Sequence, residues 1–450
     1  MTAHQQPAAR RALSSIVRYL HGISAAGKVT DSDLQVAGQT IRPMHFALMA
    51  GAAFGLYWLS SLILQARDAT THFGADTWYY AELRQGDVFR RIATNYYLDR
   101  ITRFHPTTIA MAASWMKLFE PLTPWIAPIN VLKAMFAAVG AVGVWAALSA
   151  FAAVIPRRYV MLLGSIYAIS LGVWYFAGIE ESKIVTATLS ALYIAIYLQL
   201  RERWTRRGAI LLTAVLLLAC LNEMVSGFLV LIPLVDTLMR RGWDWRHGWW
   251  IAAHALAGPL ALVILEGIIF GRLVGSSHPE GSTHLGMLLS YISRNTYSVA
   301  NFYSFVVNWL FFNIAAPTPD ASYAVPVGAT YKGYFEPALV NYFSSVRSAG
   351  VATLFGVMIV ASLLPRYRPD SSGNHASILL GLAAYTLVRG AFFYTFNPFE
   401  PLLFSPAVTL AHMLMIGIPF AASKFPAKGL LLAAFAVLLF VNNGGFIIGK

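Results

Sequence analysis

The sequence predicts an all-α polytopic membrane protein of about 11 transmembrane helices, with juxtamembrane helices in its first outer loop. Three observations carry that prediction. Of its 450 residues 57% are hydrophobic and 12% are charged, whereas a soluble domain carries about 25% charged residues. Apolar runs of about 20 residues recur from Met44 to the C-terminus, each long enough to cross a hydrocarbon core of ~30 Å. Finally, basic residues cluster in the short stretches between those runs, as the positive-inside rule requires of cytoplasmic loops. Strands of a membrane barrel are about 10 residues long and alternate in polarity, a pattern this chain lacks.

The first 42 residues are polar and basic with no short apolar core, so no cleavable signal peptide is expected. Spans are predicted near 44–65, 127–153, 158–177, 184–200, 208–221, 224–239, 248–270, 347–364, 375–396, 401–421 and 427–441. Placing the N-terminus in the cytoplasm gathers eighteen of the 33 Lys and Arg residues on the inner side, with only six of the 20 acids. The loops "IPRRY", "RERWTRR", "MRRGWDWR" and "PRYRP" all fall there. The segment Pro106–Phe119, "PTTIAMAASWMKLF", is apolar but short. A crossing at this point would turn those basic loops outward, so an interfacial or re-entrant helix is expected. The organisation that follows is a cytoplasmic tail (1–43), an N-terminal membrane module (44–270) with outer loop 66–126, a partly interfacial outer region (271–346), and C-terminal membrane helices (347–450). The net charge of +13 therefore reports topology rather than nucleic-acid binding. Cys220 is the sole cysteine, which excludes an internal disulfide and a Cys-rich metal site.

In this topology four polar sites meet at the outer face. They are Asp76 in "HFGADTWYY", the run "GIEESK" with Glu180, Glu181 and Lys183, the pair Asn222–Glu223, and "YTFNPFEP" with Tyr394, Asn397 and Glu400. Each has a structural reading as well. Asp76 suits a helix N-cap, Glu180 and Glu181 suit the positive end of the following helix, and Asn222–Glu223 suits a turn. His105 suits a solvated interface position, with Pro106 as a first helical residue. Asp68, His72 and Asp76 have the spacing of ligands on one helix face, although Gly74 interrupts that stretch. Arg389, inside an apolar span, needs a partner, a polar cavity or a route for its head group to the interface.

The order of these features resembles the GT-C superfamily of integral membrane glycosyltransferases, which includes protein O-mannosyltransferases and aminoarabinose transferases. The stretch "HPTTIAMAASWMKLF" resembles the family's "HPP" helix, and "YFAGIEESKIVTATLSALYIAIYLQLRERW" resembles the helix that opens with its second acidic site. The likeness covers roughly residues 44–240, with a weaker echo at "FNPFEPLLFSP". It departs at Thr77, where the family often has a second acid, and at Asn222–Glu223, where related enzymes often carry Lys.

The resemblance implies inverting transfer of a sugar from a polyprenyl-phosphate donor to a lipid or glycan acceptor on the periplasmic face of a bacterial inner membrane. Breaking the C1–O bond passes through an oxocarbenium-like transition state. It needs a carboxylate base on the acceptor hydroxyl and positive charge at the leaving phosphate. Asp76 is implied as the base, with Glu180 or Glu181 orienting the acceptor or, as Glu181 with Asp76, holding a divalent metal ion. Arg389 or Lys183 is expected to meet the phosphate. His105, Tyr394, Glu400, Trp78 and Tyr79 are implied around the substrate, although Trp78, Tyr79 and Tyr80 equally suit an aromatic belt. Two other classes stand beside this one: a transporter, flippase or ligase-like protein for lipid-linked glycans, and a non-catalytic scaffold of the same architecture.

Overall fold

The computed structural model describes residues 43–66, 105–201, 204–241, 251, 253–265, 267–268, 292–293, 297–317, 325–327, 331–333, 342–364, 373–398 and 401–449. Asp68, His72, Asp76, Trp78, Tyr79, Tyr80 and Glu400, singled out from the sequence, lie outside these residues.

The chain is an integral multi-pass membrane protein. Its helices in order are α1 (Pro43–Ala66), α2 (Pro106–Phe119), α3 (Pro128–Val154), α4 (Arg157–Ile169), α5 (Leu171–Ala177), α6 (Lys183–Leu200) and α7 (Arg206–Asn222). There follow α8 (Leu231–Arg241), α9 (Ala257–Val263), α10 (Val299–Val307), α11 (Val346–Leu363), α12 (Gly373–Phe396), α13 (Pro401–Phe404), α14 (Thr409–Ala422) and α15 (Lys428–Gly449). Two short antiparallel strands, Val325–Val327 and Tyr331–Gly333, pair Pro326 with Lys332.

Among the described residues, seven helical stretches are long and apolar enough to span a membrane, and a bent pair, α4 with α5, raises this to eight at most. The expected 11 is not reached among these described residues. Helix α7 has only 17 residues. The expected span at 224–239 starts as a tight 3-10 turn, Met224–Val230, and becomes α-helical only from Leu231. Pro233 explains part of this, because it has no N–H to return to the carbonyl of Leu229. Of the expected 248–270 span, the described part forms a short apolar helix, Ala253–Val263.

The expected continuous span at 158–177 is broken by 57° between α4 and α5. The cause lies elsewhere in the chain. Leu171 N–H donates to Ile314 O at 3.0 Å and Gly172 N–H to Asn313 O at 2.8 Å, so a non-helical strand of backbone takes the donors that would have continued the helix. Asn443 secures the junction: its Nδ2 donates to Ile169 O and Ile314 O (2.8 and 2.9 Å), while its Oδ1 accepts from Ala316 N–H at 2.8 Å. Irregular backbone survives inside a membrane protein only where other groups satisfy it in this way. These bonds also explain why α15 runs on to Gly449 instead of ending near 441, before "NNGG". Asn442 and Asn443 face the buried 314–316 chain, with Asn442 Nδ2 donating to Ala316 O at 2.7 Å.

Helix α6 is the centre of the bundle, with 89% of its apolar window buried against 28% for α1. It packs on α3, where a side chain at Gly143 would meet Thr188 Oγ1 at 2.8 Å. That close approach, typical of small residues between membrane helices, lets Thr188 Oγ1 donate to Val139 O at 2.9 Å.

Candidate functional site

Helix α6 begins at Lys183, directly after an irregular turn that carries Glu180 and Glu181. A cation at a helix N-terminus opposes the dipole there and needs compensating negative charge. Helix α7 supplies it. That helix ends at Asn222, and Glu223 follows in extended conformation. Its Oε1 lies 3.5 Å from Lys183 Nζ, and its Oε2 accepts a short hydrogen bond from Arg389 Nη2 on α12. Lys183, Glu223 and Arg389 are all buried, Arg389 to 0% exposure.

Aromatic faces support both cations. Lys183 Nζ stands 4.8 Å from the centre of the Phe404 ring, and Arg389 Cζ stands 5.0 Å from that of Phe393. The two rings stack on each other at 4.1 Å and 12°. Among the described residues, Nε and Nη1 of Arg389 have no hydrogen-bond partner.

Asn222 ties this cluster to α2. Its Oδ1 accepts from Thr108 N–H at 3.1 Å and from Thr108 Oγ1 at 2.6 Å, while its Nδ2 donates to Thr186 Oγ1 at 2.8 Å. His105 is half-buried rather than solvated, with Nδ1 2.7 Å from Asn222 O. A carbonyl oxygen only accepts, so the proton is on Nδ1 and Nε2 keeps a lone pair. Burial pushes the imidazole down to about 3, assisted by Lys183 and opposed by the Asn222 carbonyl and Glu223. The ring is therefore neutral at physiological pH.

Glu180 and Glu181 face another way. Lys133 Nζ on α3 lies 3.5 Å from Glu180 Oε1 and also donates to Ser61 O at 3.1 Å. Glu181 Oε1 accepts from Ser182 N–H and Ser182 Oγ, both at 2.9 Å. The turn thus has an acidic half on one side of Ser182 and a cationic half on the other. Among the described residues no three His, Cys, Asp or Glu side chains group as metal ligands. Glu181, the described member of the expected Asp76–Glu181 metal pair, accepts these two bonds through Oε1 from its own turn, and Asp76 lies outside the described residues.

Of the residues singled out from sequence, His105, Lys183, Asn222, Glu223 and Arg389 come together. Tyr394 lies in a neighbouring aromatic group, its ring 5.3 Å from Phe302 and 5.4 Å from Phe305, and its hydroxyl donates to Ser298 O at 3.4 Å. Sequence reasoning missed Lys133, although a Lys a few residues into an apolar span is itself a signal. It also missed Phe393 and Phe404, which nothing distinguishes from ordinary core aromatics.

A second polar cluster lies at the other end of α6, about 27 Å away by helix rise. Asp236 accepts from Arg201 Nε at 2.7 Å and Nη2 at 2.8 Å, from Tyr197 OH at 2.5 Å and from Ser377 Oγ at 2.6 Å. Arg201, in the inner run "RERWTRR", and Asp236, inside the expected span 224–239, form a buried, two-pronged ion pair joining α6, α8 and α12. No protein-family model and no curated protein sequence matches this chain.

Proposed function

We propose that this protein is a GT-C-type glycosyltransferase that moves a sugar from a polyprenyl-phosphate donor to a hydroxyl acceptor, by inverting displacement at the outer face. One observation carries the reading: a fully buried guanidinium, Arg389, with Nε and Nη1 unpartnered among the described residues, beside Lys183 at the N-terminus of an 18-residue helix. Unpaired donors inside a membrane protein are expensive. Two cations and a helix N-terminus form a ready receptor for a phosphate group. In the transition state negative charge grows on the leaving phosphate, and fixed donors there stabilise it without reorganisation. The acidic half of the turn, Glu180 and Glu181, faces the acceptor side, where Asp76 serves as general base. The aromatic floor of Phe393 and Phe404 holds the two cations in place. In this reading the cationic loops lie in the cytoplasm and the site faces the periplasm of a bacterial inner membrane.

The test is turnover of a polyprenyl-phosphate-linked sugar by purified protein in nanodiscs. Arg389→Ala and Lys183→Ala should each lower kcat/KM by about 10²-fold or more. Asp76→Asn should remove transfer while donor binding persists. Unchanged turnover in the Arg389 variant would sink the proposal.

The broken helix at Ser170 and the buried irregular chain at 313–316 support a second reading, a transporter or flippase for lipid-linked glycans, since broken helices recur in transporters. Movement of a labelled lipid-linked sugar across proteoliposomes, with no acceptor and no transfer, would favour it.

A further inference from the structure

We propose that Glu223 is an exchangeable counter-ion: the donor's phosphodiester takes its place on Lys183 and Arg389, and the released carboxylate takes up one proton. This inference rests on the phosphate-site reading above.

The protein contains its own control. Arg201 grips Asp236 with two nitrogens, and Tyr197 and Ser377 fill further positions on that carboxylate. Such an ion pair is built to stay. Arg389 reaches Glu223 with Nη2 alone, leaving Nε and Nη1 unused. Lys183 holds the same carboxylate from 3.5 Å. Among the described residues, the hydrogen bonds and ion pairs of Glu223's carboxylate all run to these two cations. One carboxylate between two cations leaves, among the described residues, an uncompensated positive charge, and a planar guanidinium with two donors unused there matches the oxygens of a phosphate. The cations do not depend on Glu223 for their position, because Phe404 and Phe393 lie under them at 4.8 and 5.0 Å. Cation–π contacts of this kind persist when the counter-ion changes.

Displacement has a consequence for protons. A buried carboxylate remains ionised while cations face it and takes up a proton when they are taken by another anion. One negative charge enters on the phosphodiester, and one is neutralised by a proton from water, so the charge balances. The other groups facing Glu223 among the described residues do not supply that proton. His105 is neutral, with its shift to about 3. Lys183 and Arg389 keep their protons against the incoming anion. The Tyr385 hydroxyl on α12 is engaged with Ala407 O at 3.3 Å.

The experiment uses the full-length protein in nanodiscs and a short-chain prenyl methyl phosphodiester, whose single charge is fixed. Calorimetric titration at about pH 6 and about pH 8, in buffers of different ionisation enthalpy, counts the protons bound per ligand. The wild type should take up about one proton at the higher pH and bind more weakly there. Glu223→Gln should bind about tenfold more tightly at the higher pH, with no proton uptake. Wild-type binding that depends on Arg389 but takes up no proton, or weaker binding by Glu223→Gln, overturns the exchange and leaves the phosphate site standing. Absence of binding by both proteins overturns the phosphate site itself.

Discussion

Asn222 does the work of a helix cap from another helix. Helix α2 begins after His105, whose side chain makes no capping bond, and Pro106 fills the first position. The Thr108 N–H, third in that helix, would be one of its orphan donors, and Asn222 Oδ1 accepts it. Asn222→Ala should therefore destabilise the protein by about 1–3 kcal/mol and make α2 more accessible to protease, both measurable in nanodiscs. His105 adds a dependence on pH. Its folded value of about 3 lies below the ordinary 6.5, so the unfolded chain binds a proton that the folded chain refuses. The stability it contributes is complete above about 6.5 and is lost as the pH falls toward about 3. His105→Asn, which can still donate to Asn222 O, should flatten that acid limb of thermal stability; an unchanged limb would assign it to other groups. Residue chemistry made part of this site legible. An Arg inside an apolar span demands a partner, and Arg389 has one. Glu223 was harder to see, because Asn-Glu between two apolar runs reads equally well as a turn. Nothing local to it reveals that α12 brings a guanidinium to its side.

Composition was the better guide at the scale of the helix, since a long apolar run has few alternatives in a bilayer. Six of the expected spans correspond closely to α1, α3, α6, α11, α12 and the helical stretch Pro401–Ala422. The break at Ser170 was invisible because its cause is not local: "AISLGVWYF" has no proline, and Ile314, Asn313 and Asn443 impose the bend from distant parts of the chain. The α7–α8 region misled for a related reason, as Glu223 and Pro233 interrupt two apolar runs that would otherwise read as a hairpin of full-length spans. Asn443 is the element-scale test of this account. Asn443→Leu would strand Ile169 O and Ala316 N–H, at about 1–3 kcal/mol for each unsatisfied group, and leave Ile314 O with Leu171 N–H alone. The expected outcome is failure to reach a monodisperse state on size exclusion. Gly381 tests a second contact, because a Cβ there would lie 2.7 Å from the backbone oxygen of Ile232. Gly381→Val should force α8 from α12 and weaken the Arg201–Asp236 pair, lowering the unfolding temperature. Wild-type stability in either variant would show that these contacts do not hold the helices.

Across the whole molecule, parallel packing of α3 and α6 decides how the chain threads the bundle. Lys133, near the start of α3, pairs with Glu180 just before α6, and further along Val139 O meets Thr188. Both helices therefore start at the site end and finish at the Asp236 end. The chain between them must return, and α4 with α5 is the only helical path among the described residues between 155 and 182. Twenty helical residues give about 30 Å of rise, enough to cross even after a bend. Arg158 and Lys428 share the face of Tyr159, at 4.8 and 5.8 Å, which sets the α14–α15 turn at the same end as the α3–α4 turn. Cysteine labelling from each side of the membrane tests this arrangement. Cys220 is buried, so Cys220→Ala provides a clean background with little surface change. Single cysteines at the exposed positions Arg158, Arg207 and Lys424 should react from one side, and a cysteine at Trp125, 78% exposed, from the other. Under the proposed orientation the first three should label from the cytoplasmic side. If Arg158 and Arg207 label from opposite sides, α4 and α5 form a re-entrant loop. Lys183 and Glu223 would then lose the shared membrane surface on which a phosphate-bearing lipid could reach them.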